Sequence, residues 1–204
     1  MSSTHDHQVQ SSEVVFQGRV IRVRKDVVTM PGETTSQRDV VVHPGAVGVV
    51  ALDDQGRVLL VSQYRHPVGR RLEELPAGLL DVDGEDSLTA AQRELAEEAG
   101  LAADTWHVLV DTLTSPGMSD EAIRIFLARD VREVERDVQA HEEAEMTSEW
   151  VDLDLAVRRV LAGEIENAMC AVGVLAADRM VRDGFRGLRP ADAPWPSRKG
   201  TAHR

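Results

Sequence analysis

Apolar and polar residues trade places through VVFQGRVIRVRKDVVTM, break off at PGETTSQ and resume in RDVVVH. That is the period of strands with one covered face, so a small antiparallel β unit is expected ahead of the main body. GAVGVVALDDQGRVLLVSQYRH follows as two apolar, β-branched runs around DDQG, which reads as a hairpin whose second strand delivers QYRHPVG to a loop. RRLEELPAGLLDVDGEDSLTAA predicts a short strand, a Pro/Gly/Asp loop and a helix start, with Glu85 or Asp86 as the cap. From Ser87 to Ala99 the period becomes helical. Leu88, Ala91, Leu95 and Ala99 form one apolar stripe, and Gly100 supplies the stop.

Further strands are expected at WHVLVDTL, AIRIFLA and SEWVDL, with TSPGMSDE and the acidic VREVERDVQAHEEAEM as the loops between them. LDLAVRRVLAGEIENAMCAVGVLAADRMV has the spacing of two helices. After it, Pro, Gly and basic residues predict a frayed tail. The organisation expected is a flexible leader over residues 1–12, a β unit over 13–44, a main domain over 45–184 and a flexible tail over 185–204.

The chain has 204 residues with 42% hydrophobic content, enough for one substantial core. Its formal charge of −12, from 35 acidic and 23 basic residues, disfavours nucleic acid or an anionic membrane as partner. The opening MSSTHDHQVQSSEVV lacks an apolar signal region, and no run approaches the roughly 20 apolar residues of a membrane span, so a cytoplasmic location is expected. The single cysteine, Cys170, cannot form a disulfide within the chain. It sits in the apolar AMCAVGVLAA without a basic neighbour to lower its pKa, and reads as a small buried hydrophobe.

The chemistry concentrates in RELAEEAG. Glu94, Glu97 and Glu98 crowd one and a half helical turns, although like charges four apart repel by about 0.2–0.5 kcal/mol when exposed. Glu94 and Glu98 project from neighbouring turns of one face and can hold a hard cation between them. Mg²⁺ prefers oxygen ligands and keeps several waters, which suits two or three carboxylates and a substrate phosphate. A merely solvated acidic face accounts for Glu97, but not for Arg93, the Gly100 stop and the preceding LPAG together.

GLLDVDGEDSLTAAQRELAEEAGL resembles the Nudix box: Gly, five residues, Glu, seven residues, then Arg-Glu-apolar-x-Glu-Glu-x-Gly-apolar. From Glu85 onward the match is complete through Arg93, Glu94, Leu95, Glu97, Glu98, Gly100 and Leu101. One departure is that six residues, rather than five, separate Gly78 from Glu85. The resemblance spans residues 14–180 and narrows to the ADP-ribose pyrophosphatase branch through QYRHPVGRRLEELPAG and through Pro116, which stands sixteen residues after Gly100.

The resemblance implies an α/β/α sandwich with a mixed sheet, preceded by the small N-terminal antiparallel unit. It implies Mg²⁺-dependent, or Mn²⁺-dependent, hydrolysis of ADP-ribose to AMP and ribose 5-phosphate. Glu94 and Glu98 would be metal ligands, joined by the Ala77 carbonyl and, where several ions bind, by Glu97. Arg93 would orient these glutamates. The general base would come from AHEEAEM, with Glu143 first and Glu142 second. Arg65, Glu74 and Pro116 would meet the substrate, Arg65 through its phosphates. In such enzymes GRVIRVRKDVV builds swapped homodimers. Arg24 is then either a phosphate contact or a surface arginine on an edge strand.

Two positions that are aromatic in many relatives are Ile21 and Glu73 here; the nearest rings are Phe16 and Tyr64. That opening leaves a broader nucleoside diphosphate-sugar hydrolase in view. Two other classes are a nucleotide-sugar sensor without turnover, which would not need the full glutamate set, and an acidic interaction module, which would bind no metal.

Overall fold

The computed structural model describes residues 7–135 and 145–198. β1 (Val9–Gln17), β2 (Arg22–Thr29) and β3 (Thr35–Val42) form a three-stranded antiparallel sheet, the expected N-terminal unit. β1 begins inside the segment 1–12 that was expected to be a flexible leader. Val9 pairs with Val28, and Gln8 accepts the Thr29 N–H at 2.9 Å. The polar letters QSSE hid this, because ladder bonds come from backbone and ask nothing of the side chains. β1 is exposed along its whole length.

The main sheet has five strands in the order β11-β8-β9-β4-β7. β4 (Ala46–Ala51) is its axis, every residue buried, running parallel to β9 (Ala122–Glu133) and antiparallel to β7 (Ala77–Leu79). Alternation along β4 and β9 divides the core in two. Val47, Val49, Phe126 and Ala128 face α1 (Ser87–Ala99) with its Ala90, Ala91 and Leu95, whereas Val50, Ile125 and Leu127 face Ala156 of α2 (Leu153–Leu161) and Cys170 and Val174 of α3 (Ala168–Arg182). Each large aliphatic side chain so covered contributes about 1.5–3 kcal/mol. The result is the expected α/β/α sandwich, its parallel β4–β9 pair making the sheet mixed.

β4 and β5 (Arg57–Arg65) turn about Asp53, whose Oδ1 accepts the Gln55 and Arg57 N–H groups at 3.0 and 2.8 Å. They nevertheless share only the bridge Leu52–Val58 rather than a hairpin ladder. β9 lines one edge of β4 throughout and β7 takes Ala46–Gly48 on the other, while β5 pairs with β6 (Arg70–Glu74) and β10 (Thr147–Asp152) in a second sheet.

The tail expected to fray over 185–204 is instead docked as far as residue 198. β11 (Arg189–Pro190) pairs with β8 (Leu101–Leu113). The guanidinium of Arg124, only 2% exposed, donates to the carbonyls of Ala193 at 2.7 Å and Pro194 at 3.1 Å. A Pro/Gly composition signals irregular backbone, and a buried donor elsewhere in the chain decides whether that backbone is held. β8 and β9 also run beyond the predicted WHVLVDTL and AIRIFLA, each taking in polar residues near the sheet's open end.

Candidate active site

The box helix α1 is fixed at both ends. Of the two expected caps it is Asp86 that accepts the Leu88 and Thr89 N–H groups, each at 3.0 Å. The Thr89 hydroxyl donates to the same carboxylate at 2.6 Å, and this bond above all holds Asp86 below its ordinary pKa. At the other end Gly100 takes φ 64, a left-handed conformation natural to glycine, and bonds back to Ala96 O at 2.9 Å.

Between these ends Arg93 resolves the repulsion among the glutamates. Its Nε and Nη2 donate to the two oxygens of Glu85 at 3.0 and 3.2 Å, and its Nη1 donates to Glu94 at 2.7 Å and Glu97 at 2.9 Å. Glu85 first, then the other two carboxylates, raises the guanidinium's already high pKa further. Glu98, 8% exposed, lies on the buried side of α1 and accepts the Ala77 N–H at 2.9 Å. Gly78 beside it is where β7 and α1 meet: a Cβ there would lie 1.9 Å from Glu94 Oε1. The glycine is thus the cradle of the Glu94 carboxylate.

This donor set fits a divalent cation. Three carboxylates on adjoining turns are hard oxygen donors, and Gly78 leaves one of them room against the strand. Arg93 sits among them, however, and among the described residues no three acidic, His or Cys side chains are gathered at metal-holding spacing. The fit is one of donor type, while Arg93 Nη1 bridges Glu94 and Glu97.

Gly78 also lines a cavity of about 420 Å³, together with Arg65, Glu74, Ala77, Glu121 and Met169. Arg65, at the end of β5, grips Glu74, at the end of β6, with a two-pronged pair at 2.9 and 2.5 Å. Glu74 is 1% exposed while the Arg65 side chain is 42% exposed, so the pair presents its cationic end to the cavity. Two residues expected to meet substrate are thereby brought onto one wall.

Pro116 and Arg24 are not among the residues lining it. Pro116 stands in a turn closed by Met118 and Ser119 N–H bonds to Ser115 O at 3.0 and 2.9 Å. Arg24 is spent on Asp26 at 3.1 Å. Glu142 and Glu143 lie outside the described residues.

Sequence reasoning missed Glu121. It follows Pro116 by five positions, receives the Thr114 hydroxyl at 2.5 Å and lies 3.4 Å from His43 Nδ1, so it sets a further carboxylate on the cavity. The SDE of TSPGMSDE was the available signal. Glu73 faces away from that cavity and pairs with Arg159 of α2; its Oε2 is buried with no hydrogen-bond partner among the described residues. Tyr64, half exposed, lines an adjoining cavity of about 380 Å³ with Arg65, His66 and Arg71. Cys170 is fully buried, and burial pushes its thiol up to about 12 with help from the charges of Glu73 and Glu74, which leaves no thiolate to react.

The NUDIX domain model matches residues 42–170. Among curated proteins, the ADP-ribose pyrophosphatase of Mycobacterium tuberculosis is 52% identical over 194 residues, 95% of this chain and 93% of that protein. The ADP-ribose pyrophosphatase of Bacillus subtilis is 35% identical over 80% of this chain and 88% of its own length. The methanol dehydrogenase activator of Bacillus methanolicus is 32% identical over 85% and 94%. A crystal structure of an ADP compounds hydrolase superposes with a TM-score of 0.77 over 91% of this chain and all of the other, at 19% identity, a likeness of fold.

Proposed function

Because this chain belongs to the NUDIX family, we propose that it is a divalent-metal-dependent hydrolase that cleaves ADP-ribose to AMP and ribose 5-phosphate. The observation that carries the reading is the Arg93-held carboxylate set of α1, joined through Gly78 to a cavity walled by the Arg65–Glu74 pair. Two relatives that span most of the chain are ADP-ribose pyrophosphatases.

Glu94, Glu98 and the Ala77 carbonyl would hold the metal, Mg²⁺ or Mn²⁺, with Glu97 joining for a further ion. The chemistry such an ion supplies is neutralisation of phosphate charge and activation of water as nucleophile. The chain's own groups do the rest. Arg65 offers the exposed N–H edge of its guanidinium to the diphosphate oxygens while Glu74 fixes its plane. Arg93, anchored on Glu85, keeps the glutamates from splaying. Water adds to one phosphorus as the bridging P–O bond breaks, its proton passing to a carboxylate of AHEEAEM, Glu143 before Glu142. One phosphate stays on each product.

The chain acts as a homodimer in this reading. β1 leaves Val14, Val15 and Phe16 about half exposed, apolar surface that a second copy would cover in part. A broader taste for nucleoside diphosphate sugars is the second reading. It is favoured by Glu73, whose pairing with Arg159 replaces a ring that would sandwich the base. The single, buried cysteine suits work in the cytoplasm.

The test is phosphate release from ADP-ribose, ADP-glucose, UDP-glucose and NADH with a coupled phosphatase, in Mg²⁺ or Mn²⁺, beside Glu98→Gln. The amide oxygen of Gln can still accept the Ala77 N–H, so the fold is kept. A strong preference for ADP-ribose that falls by more than about 100-fold in the variant is expected. Equal rates on all sugars would favour the broader reading, and no turnover by wild type would remove the enzymatic one.

A further inference from the structure

The best-anchored feature that catalysis does not use is the C-terminal segment from Leu188 to Arg198. It begins as β11 on the edge of β8, where Arg189 donates to Asp111 Oδ2 at 2.7 Å. Arg124 of β9 then binds it on the same face of the sheet. The same guanidinium that holds Asp111 at 2.8 and 3.1 Å caps the Ala193 and Pro194 carbonyls and lies 4.8 Å from the ring of Trp195. Ala191, Ala193 and Trp195 pack against the core that α1 covers, on the box-helix face of the sheet. At its end Arg198 Nη2 reaches the carbonyl oxygen of Glu85 at 3.4 Å.

Glu85 is the residue before the α1 cap, and its side chain carries Arg93. The backbone of Glu85 is therefore held by the tail while its carboxylate holds the cation that arranges Glu94 and Glu97. We propose that residues 188–198 form a strap that sets the start of the box helix, anchored at Trp195 and acting through Arg198 as the positioning residue for the metal-binding glutamates. A fully buried arginine giving two of its bonds to carbonyls of an otherwise irregular tail is a costly arrangement for a segment with no role: without those carbonyls the guanidinium would be left short of acceptors. The clasp at Trp195 is the fixed end, and the single long contact at Arg198 is the weak link through which loss of the tail would reach Glu85.

The metal part of this proposal rests on the hydrolase reading; the mechanical part does not. Two readouts separate them, each applied to a chain ending at Trp195, which keeps the Arg124 clasp, and to Arg198→Ala in the full chain. Hydrogen exchange at Leu88, Thr89 and Ala90 reports the helix start. Mn²⁺ affinity by electron paramagnetic resonance, well below the unfolding temperature, reports the glutamates.

Protection at those amides is expected to fall about tenfold in both variants while the strands of the sheet keep theirs. The Mn²⁺ dissociation constant should rise about tenfold, and Arg198→Lys should recover part of both. Unchanged exchange at the helix start would overturn the strap. Altered exchange with unchanged Mn²⁺ affinity would overturn the positioning role. If wild type neither binds Mn²⁺ nor hydrolyses any diphosphate, the hydrolase reading fails, and the strap stands or falls on exchange alone.

Discussion

At the scale of single residues, the candidate site could be assembled from sequence where its parts share one stretch of chain. Arg93, Glu94, Glu97 and Glu98 sit on one helix, so their spacing alone places them together, and the structure adds that Arg93 binds Glu85, Glu94 and Glu97 at once while Glu98 accepts the Ala77 N–H. The Gly78 contact is a different kind of fact, because it depends on how closely β7 approaches α1. A Cβ at Gly78 would overlap the Glu94 carboxylate, so Gly78→Ala is expected to push Glu94 aside while the sheet stays intact. Metal affinity, measured by calorimetry, should weaken about 10- to 100-fold, with the unfolding midpoint little changed. Unaltered affinity would mean that Glu94 is not held against this strand when it works. Glu121 went unread although SDE stands beside Pro116, and Arg65 and Glu74 were named singly, their pairing being set by the β5–β6 register.

Among the elements, α1 was read to its bounds because its signals are local: an acidic cap, an apolar stripe and a terminal glycine. The cap carries a measurable share. Asp86→Ala removes the acceptor for two backbone N–H groups and one hydroxyl, and should cost about 1 kcal/mol in chemical denaturation. Asp86→Asn should restore most of it, and a neutral alanine variant would show that tertiary packing alone holds the helix start. The misread elements were those whose fate is set elsewhere. β4 and β5 look like a hairpin in sequence because a tight turn joins them, yet β4 is laddered to β9 and, over Ala46–Gly48, to β7, while β5 is laddered to β6 and β10, and no local signal announces those distant partners. The leader and tail were judged by composition, whereas β1 is fixed by the register of β2 and the tail by a buried arginine.

For the whole molecule, the tail ties the fold's stability to pH through Asp111. Burial works against ionising this carboxylate, but the bonds from Arg124 and then Arg189 outweigh it and hold its pKa below the ordinary 3.8. A carboxyl depressed in the folded state contributes stability that is fully present above its unfolded pKa and is lost as pH falls through the folded value. The clasp should therefore be intact at pH 5 and above and fail progressively below pH 3.8. Asp53 and Asp86 are also held low, so Asp111 accounts for only part of the acid sensitivity. In Asp111→Asn that part should vanish, flattening the fall in stability between about pH 4 and pH 2. At neutral pH the variant should be weaker by on the order of 3 kcal/mol, because Arg124 keeps two carbonyls but loses its counter-charge in a buried site. Denaturant midpoints of both proteins across pH 2 to 7 would decide it. Parallel curves, displaced but of equal slope, would place the acid-labile group elsewhere and leave Asp111 as a hydrogen-bond acceptor whose charge does not matter.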